Sequence, residues 1–127
     1  MELGLRGKTV VSQTFDYIVA MHLTDGYFLR LESSFTLVLS DRSVVITPDT
    51  DPEECLLPLR DLVGQTMTEW TVDDSGVLTI AFDSGAQLVC EPDSHYESWA
   101  VAYPDGTMVV CTPGGELGVW GPRIHRF

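Results

Sequence analysis

"HLTDGYFLRLE", residues 22–32, sets apolar side chains at alternate positions on either side of a Thr-Asp-Gly turn. A period of two puts Leu29 and Leu31 on one face of a strand and Phe28 and Arg30 on the other. An Asp-Gly pair between two alternating runs is a hairpin signal. The same pattern returns as "AFDSGAQLVCE" at residues 81–91, pairing Gly26 with Gly85 and Glu32 with Glu91.

Working outward, the correspondence extends in both directions. "GLRGKTV" (4–10) matches "DLVGQTM" (61–67), and "LSDRSVVITP" (39–48) matches "AYPDGTMVVCTP" (102–113) with small gaps. The separation grows from 57 to 65 residues along the chain, as loop insertions would produce. Further turns at "SDRS" (40–43), "DDSG" (73–76), "YPDG" (103–106) and "TPGG" (112–115) separate short runs rich in β-branched and aromatic residues. Such spacing belongs to sandwiches and barrels. The chain is therefore expected to be all-β: a single domain over 1–127, with pseudo-repeats 1–48 and 62–120. Each repeat is an antiparallel meander, and the two form a sandwich or a partly open barrel. The segment 49–61 is the linker. "DPEECLLPLRDLVG" (51–64) allows a helical turn or two there, and Pro58 rules out a long helix.

The alignment also assigns a core face. Val19, Met21 and Leu23 correspond to Leu78, Ile80 and Phe82, while Phe35, Leu37 and Leu39 correspond to Trp99, Val101 and Tyr103. Trp99 thus plugs the core. The opposite faces carry Ile18, Ala20, Phe28 and Val38 in the first half, and Val77, Ala81 and Val89 in the second. An outward apolar face of this kind fits a partner, a homodimer contact or a second core layer.

Composition narrows the class. Nineteen acidic residues against seven basic ones give a net charge of −12, scattered over turns and strand edges. Such a field repels nucleic acid and anionic lipid and draws a basic partner. No run of apolar residues is long enough to span a membrane, and the start of the chain lacks the apolar core of a leader. The three cysteines, Cys55, Cys90 and Cys111, are far apart and without C-x-x-C spacing. They read as small buried hydrophobes on or near strands in a reducing, cytoplasmic setting, with no metal site and no cofactor.

Catalytic motifs are missing: there is no phosphate loop, no H-E-x-x-H and no nucleophile elbow. No catalytic residue is assigned. His22 lies on an outward face, and His125 stands near the chain end. His95 belongs to "EPDSHYE" (91–97), where Glu91, Asp93, His95 and Glu97 alternate. If that segment is extended, the four side chains share one side and make the alternative site, for a small ligand or a minor enzyme. Trp120 is out of phase with Leu117 and Val119, and either closes the barrel end or stands exposed. With Glu97, Asp105, Glu116 and His95 around it, Trp120 is the candidate anchor of a partner-binding surface.

The run from Tyr96 to Trp120, with "YESWAVAYPDG" and "VVCTPGGELGVW", resembles a family of small actinobacterial proteins of unknown function. That pattern joins YE-x-W to PGGEL-x-x-W. The resemblance covers most of the chain and supplies no catalytic or ligand residue. Small acidic proteins of this type suggest, by analogy, an immunity factor that neutralises a basic toxin domain. The expected function is accordingly a non-enzymatic, acidic, protein-binding module.

Overall fold

A computed structural model describes residues 3–121 and is all-β apart from one short helix and a 3-10 turn. In chain order the strands are β1 (Val10–Asp16), β2 (Ile18–Leu23), β3 (Phe28–Leu31), β4 (Phe35–Val38) and β5 (Ser43–Ile46). After helix α1 (Glu53–Arg60) come β6 (Met67–Val72), β7 (Leu78–Phe82), β8 (Gln87–Cys90), β9 (Trp99–Ala102), β10 (Met108–Cys111) and β11 (Leu117–Trp120). Two antiparallel sheets result, ordered β1-β2-β3-β9-β10-β11 and β5-β4-β8-β7-β6. They are not closed into a barrel, so the open sandwich is the form adopted.

The two halves share one strand order. β1-β2-β3 runs on to β9-β10 as β6-β7-β8 runs on to β4-β5. Each half therefore leaves its own sheet after three strands and completes the other. The two meanders expected from the sequence thus form one sandwich by interlocking. The seams are the β3·β9 and β4·β8 pairings, both between strands distant in sequence. Only β11 has no counterpart, which is why one sheet has six strands and the other five. Both outer hairpins carry a register shift at the matching place, between Val10 and Ser12 and between Met67 and Glu69.

Alternation sends one face of every strand into a common core. Leu29, Leu31, Leu37, Ile80, Leu88, Trp99 and Val101 are among its fully enclosed members. Burying such side chains stabilises the fold by roughly 1.5–3 kcal/mol each. The indole of Trp99 is satisfied as well as buried, its Nε1 donating to the carbonyl of Gly76 at 3.0 Å. Gly76 has φ +92°, and a Cβ there would meet the backbone of Gly115 in the neighbouring turn. Glycine at both positions is what lets these turns approach so closely.

Helix α1 is two turns long and contains Pro58 near its end. It presents Leu56 and Leu59 to the core, and Gln13 of β1 donates from Nε2 to the Leu59 carbonyl at 2.7 Å. One cysteine departs from expectation. Cys90 and Cys111 are buried on strands, but Cys55 sits exposed on α1, because the helix turns its leucines inward and leaves that position outside.

Candidate functional site

The outer face of the six-stranded sheet is built from two rows of cross-strand neighbours. One row runs Ser12, His22, Phe28, Ala102, Met108, Trp120. The next runs Thr14, Ala20, Arg30, Ala100, Val110, Gly118. Small residues flank Arg30 and Val110 in the second row. The long side chains Phe28, Met108 and Trp120 stand in the first. A Cβ on Gly118 would run into the Trp120 ring, so the indole lies across the glycine toward Val110. His22 meets Phe28 edge-on, with ring centroids 4.8 Å apart.

The corresponding face of the five-stranded sheet is different in kind. Its rows read Glu69, Ala81, Gln87, Val38, Ser43 and Thr71, Thr79, Val89, Thr36, Val45. Hydroxyls and an amide stand where the other sheet has Phe28, Met108 and two alanines. β-Branched threonine suits a strand and stays compatible with water, and it shares this face with Val38, Val45 and Val89. The five-stranded face is thus the richer in hydroxyls, although Val45 stands 65% exposed on it, and the large side chains Phe28, Met108 and Trp120 belong to the six-stranded face.

Trp120 remains about half exposed, at 52%. With Arg30, Glu97, Met108 and Val110 it lines a hollow of about 360 Å³. Arg30 is held by Glu32, Nη2 to Oε2 at 3.3 Å, which keeps its guanidinium beside the hollow. Glu97 also borders a neighbouring hollow of about 410 Å³ with Ile18, Glu32, Asp49 and Tyr96. Carboxylates therefore rim the apolar face near β2 and β3, and Tyr96 is 72% exposed there.

The remaining expected residues separate. Asp105 lies in the β9–β10 turn, accepting the Thr107 backbone N–H at 2.8 Å, a bond that holds its carboxyl below the usual range. Glu116 is in the β10–β11 turn, at the far end of β11 from Trp120. His95 lines none of these hollows. Its segment is bent rather than extended: Asp93 Oδ1 accepts the backbone N–H groups of His95 and Tyr96 at 2.8 and 3.0 Å. Those two bonds, His95's first, lower the Asp93 pKa. Glu91, Asp93, His95 and Glu97 consequently do not form a row, and no group of three or more His, Cys, Asp or Glu able to hold an ion occurs among the described residues. The ring of His95 is bonded to Ser94 instead, Oγ to Nδ1 at 2.7 Å. His125 lies outside the described residues.

Sequence reasoning missed Arg30, Met108 and Val110 as neighbours of Trp120. Their outward phase was readable from alternation, but their adjacency depends on β3 pairing with β9.

Residues 1–121 match the model of a family of unknown function, DUF6188. The chain belongs to that family. Neither a curated protein nor a solved structure matches it. The match spans the whole described sandwich, including β11 and the Trp120 face. No described helix is long and apolar enough to cross a membrane.

Proposed function

We propose that this member of DUF6188 is a non-enzymatic binding module that presents the outer face of its six-stranded sheet to a basic protein. The observation that carries this reading is the contrast between the two faces. At equivalent positions one sheet has Gln87 and Ser43 where the other has the half-buried Phe28 and Met108. The extra strand β11 adds a half-exposed Trp120 lying over the buried Val110. Apolar patches rimmed by polar groups are characteristic of interaction sites, and tryptophan and arginine are the residues most often found at their energetic centres. The net charge of −12 and the carboxylates of Glu32, Asp49 and Glu97 beside the patch favour a cationic partner. They speed its encounter and disfavour acidic competitors.

In its most concrete form, the partner is a basic toxin domain whose cationic active site the module covers in the cytoplasm, as an immunity factor. Charge complementarity supports this version, together with the absence of any familiar catalytic motif in the sequence.

The test is capture from a lysate of the native host on immobilised protein, with Trp120→Ala as comparator. Wild type should retain a basic protein that salt elutes, since exposed charges are screened within about 8 Å at physiological ionic strength. Trp120→Ala should weaken retention by about 2 kcal/mol or more, roughly thirtyfold in Kd. Retention that ignores both salt and Trp120 would overturn the reading.

A further inference from the structure

β11 is an edge strand that borders a hollow on each of its faces. Among the described residues it pairs only with β10. The turn between them fixes the phase of that pairing, with the Thr112 N–H donating to the Glu116 carbonyl at 2.8 Å. Bonded and non-bonded pairs alternate in an antiparallel ladder. Gly118 and Trp120 therefore exchange bonds with Val110 and Met108, and the backbone groups of Leu117 and Val119 point to the open edge. Edges are usually guarded by charge, proline or a bulge. β1 and β6 are bulged, whereas Leu117–Trp120 carries no charged residue and no proline, and its register with β10 is unbroken.

The inner face is open because six strands oppose five. At the other free edge, β5 buries Ile46 completely and packs Val44 against the core. On β11, inward-phased Val119 is 55% exposed. It borders a hollow of about 420 Å³ shared with Tyr27, Tyr103, Pro104, Asp105 and Val109. The tyrosine rings meet edge-on at 5.2 Å, and Lys8 lies over Tyr27 at 4.3 Å while paired to Asp25 at 2.7 Å. Beside the five-stranded sheet, Ala86 and Leu39 stand where Tyr27 and Tyr103 do beside the six-stranded one. The aromatic hollow thus belongs to the sheet that gained a sixth strand. On the outer face, Trp120 opens onto the hollow of Arg30, Glu97, Met108 and Val110.

We propose that β11 takes up an extended segment of the basic partner as a seventh strand of this sheet. Successive side chains of an added strand point to opposite faces. Alternate residues would enter the tyrosine hollow inside and the Trp120 hollow outside. Asp105, the charged residue of the inner hollow, keeps acceptor capacity beyond its bond from the Thr107 N–H. In the outer hollow Arg30 is already paired with Glu32, which leaves Glu97 to meet a cation. The segment therefore carries lysine or arginine among apolar residues. The inference rests on the proposed binding role and narrows its partner to a strand-forming, cationic stretch. A second copy of the chain, at −12, is the wrong charge for these hollows.

An eight-residue synthetic peptide alternating lysine and valine is the probe, with binding followed by Trp fluorescence and by amide hydrogen exchange. The amides of Leu117 and Val119 should slow on binding, while those of Gly118 and Trp120, already bonded to β10, should change little. Val119→Pro removes an N–H that the β10 ladder does not use, a position where an edge strand tolerates proline. It should weaken the peptide at least about tenfold at an unchanged Tm. Val119→Lys, which restores an edge charge, should do the same if the proline variant proves unstable. Peptide that fails to bind, or that binds both variants as tightly as wild type without protecting Leu117 and Val119, overturns strand addition. Capture that still depends on salt and Trp120 would then leave the wider reading standing. A wild-type dimer that Val119→Pro converts to monomer would replace the basic segment by a second copy.

Discussion

The hydroxyls of Thr9 and Thr66 lie 2.8 Å apart although 57 residues separate them. That separation is the one that sets GLRGKTV on DLVGQTM, so each threonine meets its own counterpart. The bonds around them come in matched pairs. Gly7 N–H donates to Met67 O at 2.7 Å and Gly64 N–H to Val10 O at 2.8 Å. Met67 N–H donates to Lys8 O at 2.8 Å and Val10 N–H to Gln65 O at 3.0 Å. A pseudo-twofold axis passes between the two hydroxyls, where the β1 and β6 edges are bridged.

Because each hydroxyl has the other as its partner, replacing one orphans the second. Thr9→Val or Thr66→Val should each cost about 1 kcal/mol. The double variant should cost clearly less than the two together, giving a coupling of about 0.5 kcal/mol or more. Urea melts of the four proteins in the cycle measure it, and strict additivity would mean the pair is not coupled.

The tryptophans should part company in stability. Trp99 is fully buried and donates to Gly76, so Trp99→Ala should cost about 3–5 kcal/mol, a large share of a domain's usual margin. Trp120 is half exposed at the sheet edge, and its loss should shift stability by about 0.5 kcal/mol or less. Thermal and urea melts compare them. Equal losses would place Trp120 among the structural residues.

Thiol chemistry should sort by position. Burial pushes the Cys90 thiol up to about 12, with neighbouring Cys111 adding to the shift, and burial also raises Cys111. A thiol alkylating reagent near neutral pH should label Cys55 alone in the folded protein and all three cysteines in denaturant. A thiol whose folded pKa is raised contributes stability that is full below its ordinary value near 9.0 and lost as pH rises toward about 12. Melting temperature should therefore fall above pH 9, and less so in Cys90→Ala.

Acid should act through the turns. Asp73 is lowered by the Ser75 hydroxyl and then the Val77 N–H, Asp93 by the His95 and Tyr96 N–H groups, and Asp105 by the Thr107 N–H. A depressed carboxyl contributes stability that is present above its ordinary value, 3.8, and is lost as pH falls through the folded value. Melts should hold steady from neutral pH down to near 4 and decline below. Asp73→Asn, Asp93→Asn and Asp105→Asn should each flatten that decline.

Local pattern carried much of this fold. The Asp-Gly and Ser-Gly turns, the alternation of Leu29 with Leu31 and of Leu78 with Ile80, and the core phase of Trp99 are all readable without coordinates. β1 and β6 carry little strand signal, because Ser12-Gln13-Thr14 and Thr68-Glu69 read as polar and a bulge interrupts each alternation. The Glu91–Glu97 segment fails the condition of an extended chain for a local reason. Alternation implies a shared side only in extended chain, and the Asp93 turn bends it.

What the sequence determined by itself was the all-β class, the correspondence of the two halves, the inward faces of β2 to β4 and β7 to β9, and the acidic surface. These follow from period-two patterning, turn chemistry and charge, which are local or additive. Only tertiary structure decided that each half is shared between two sheets and that Trp120, Met108 and Arg30 become neighbours. It alone leaves β11 unopposed over Tyr27 and Tyr103. Those outcomes depend on β3 choosing β9 and β4 choosing β8, pairings between distant segments whose edges offer the same backbone groups to any partner. The choice is made when both sheets bury their inner faces together, and no single strand carries it.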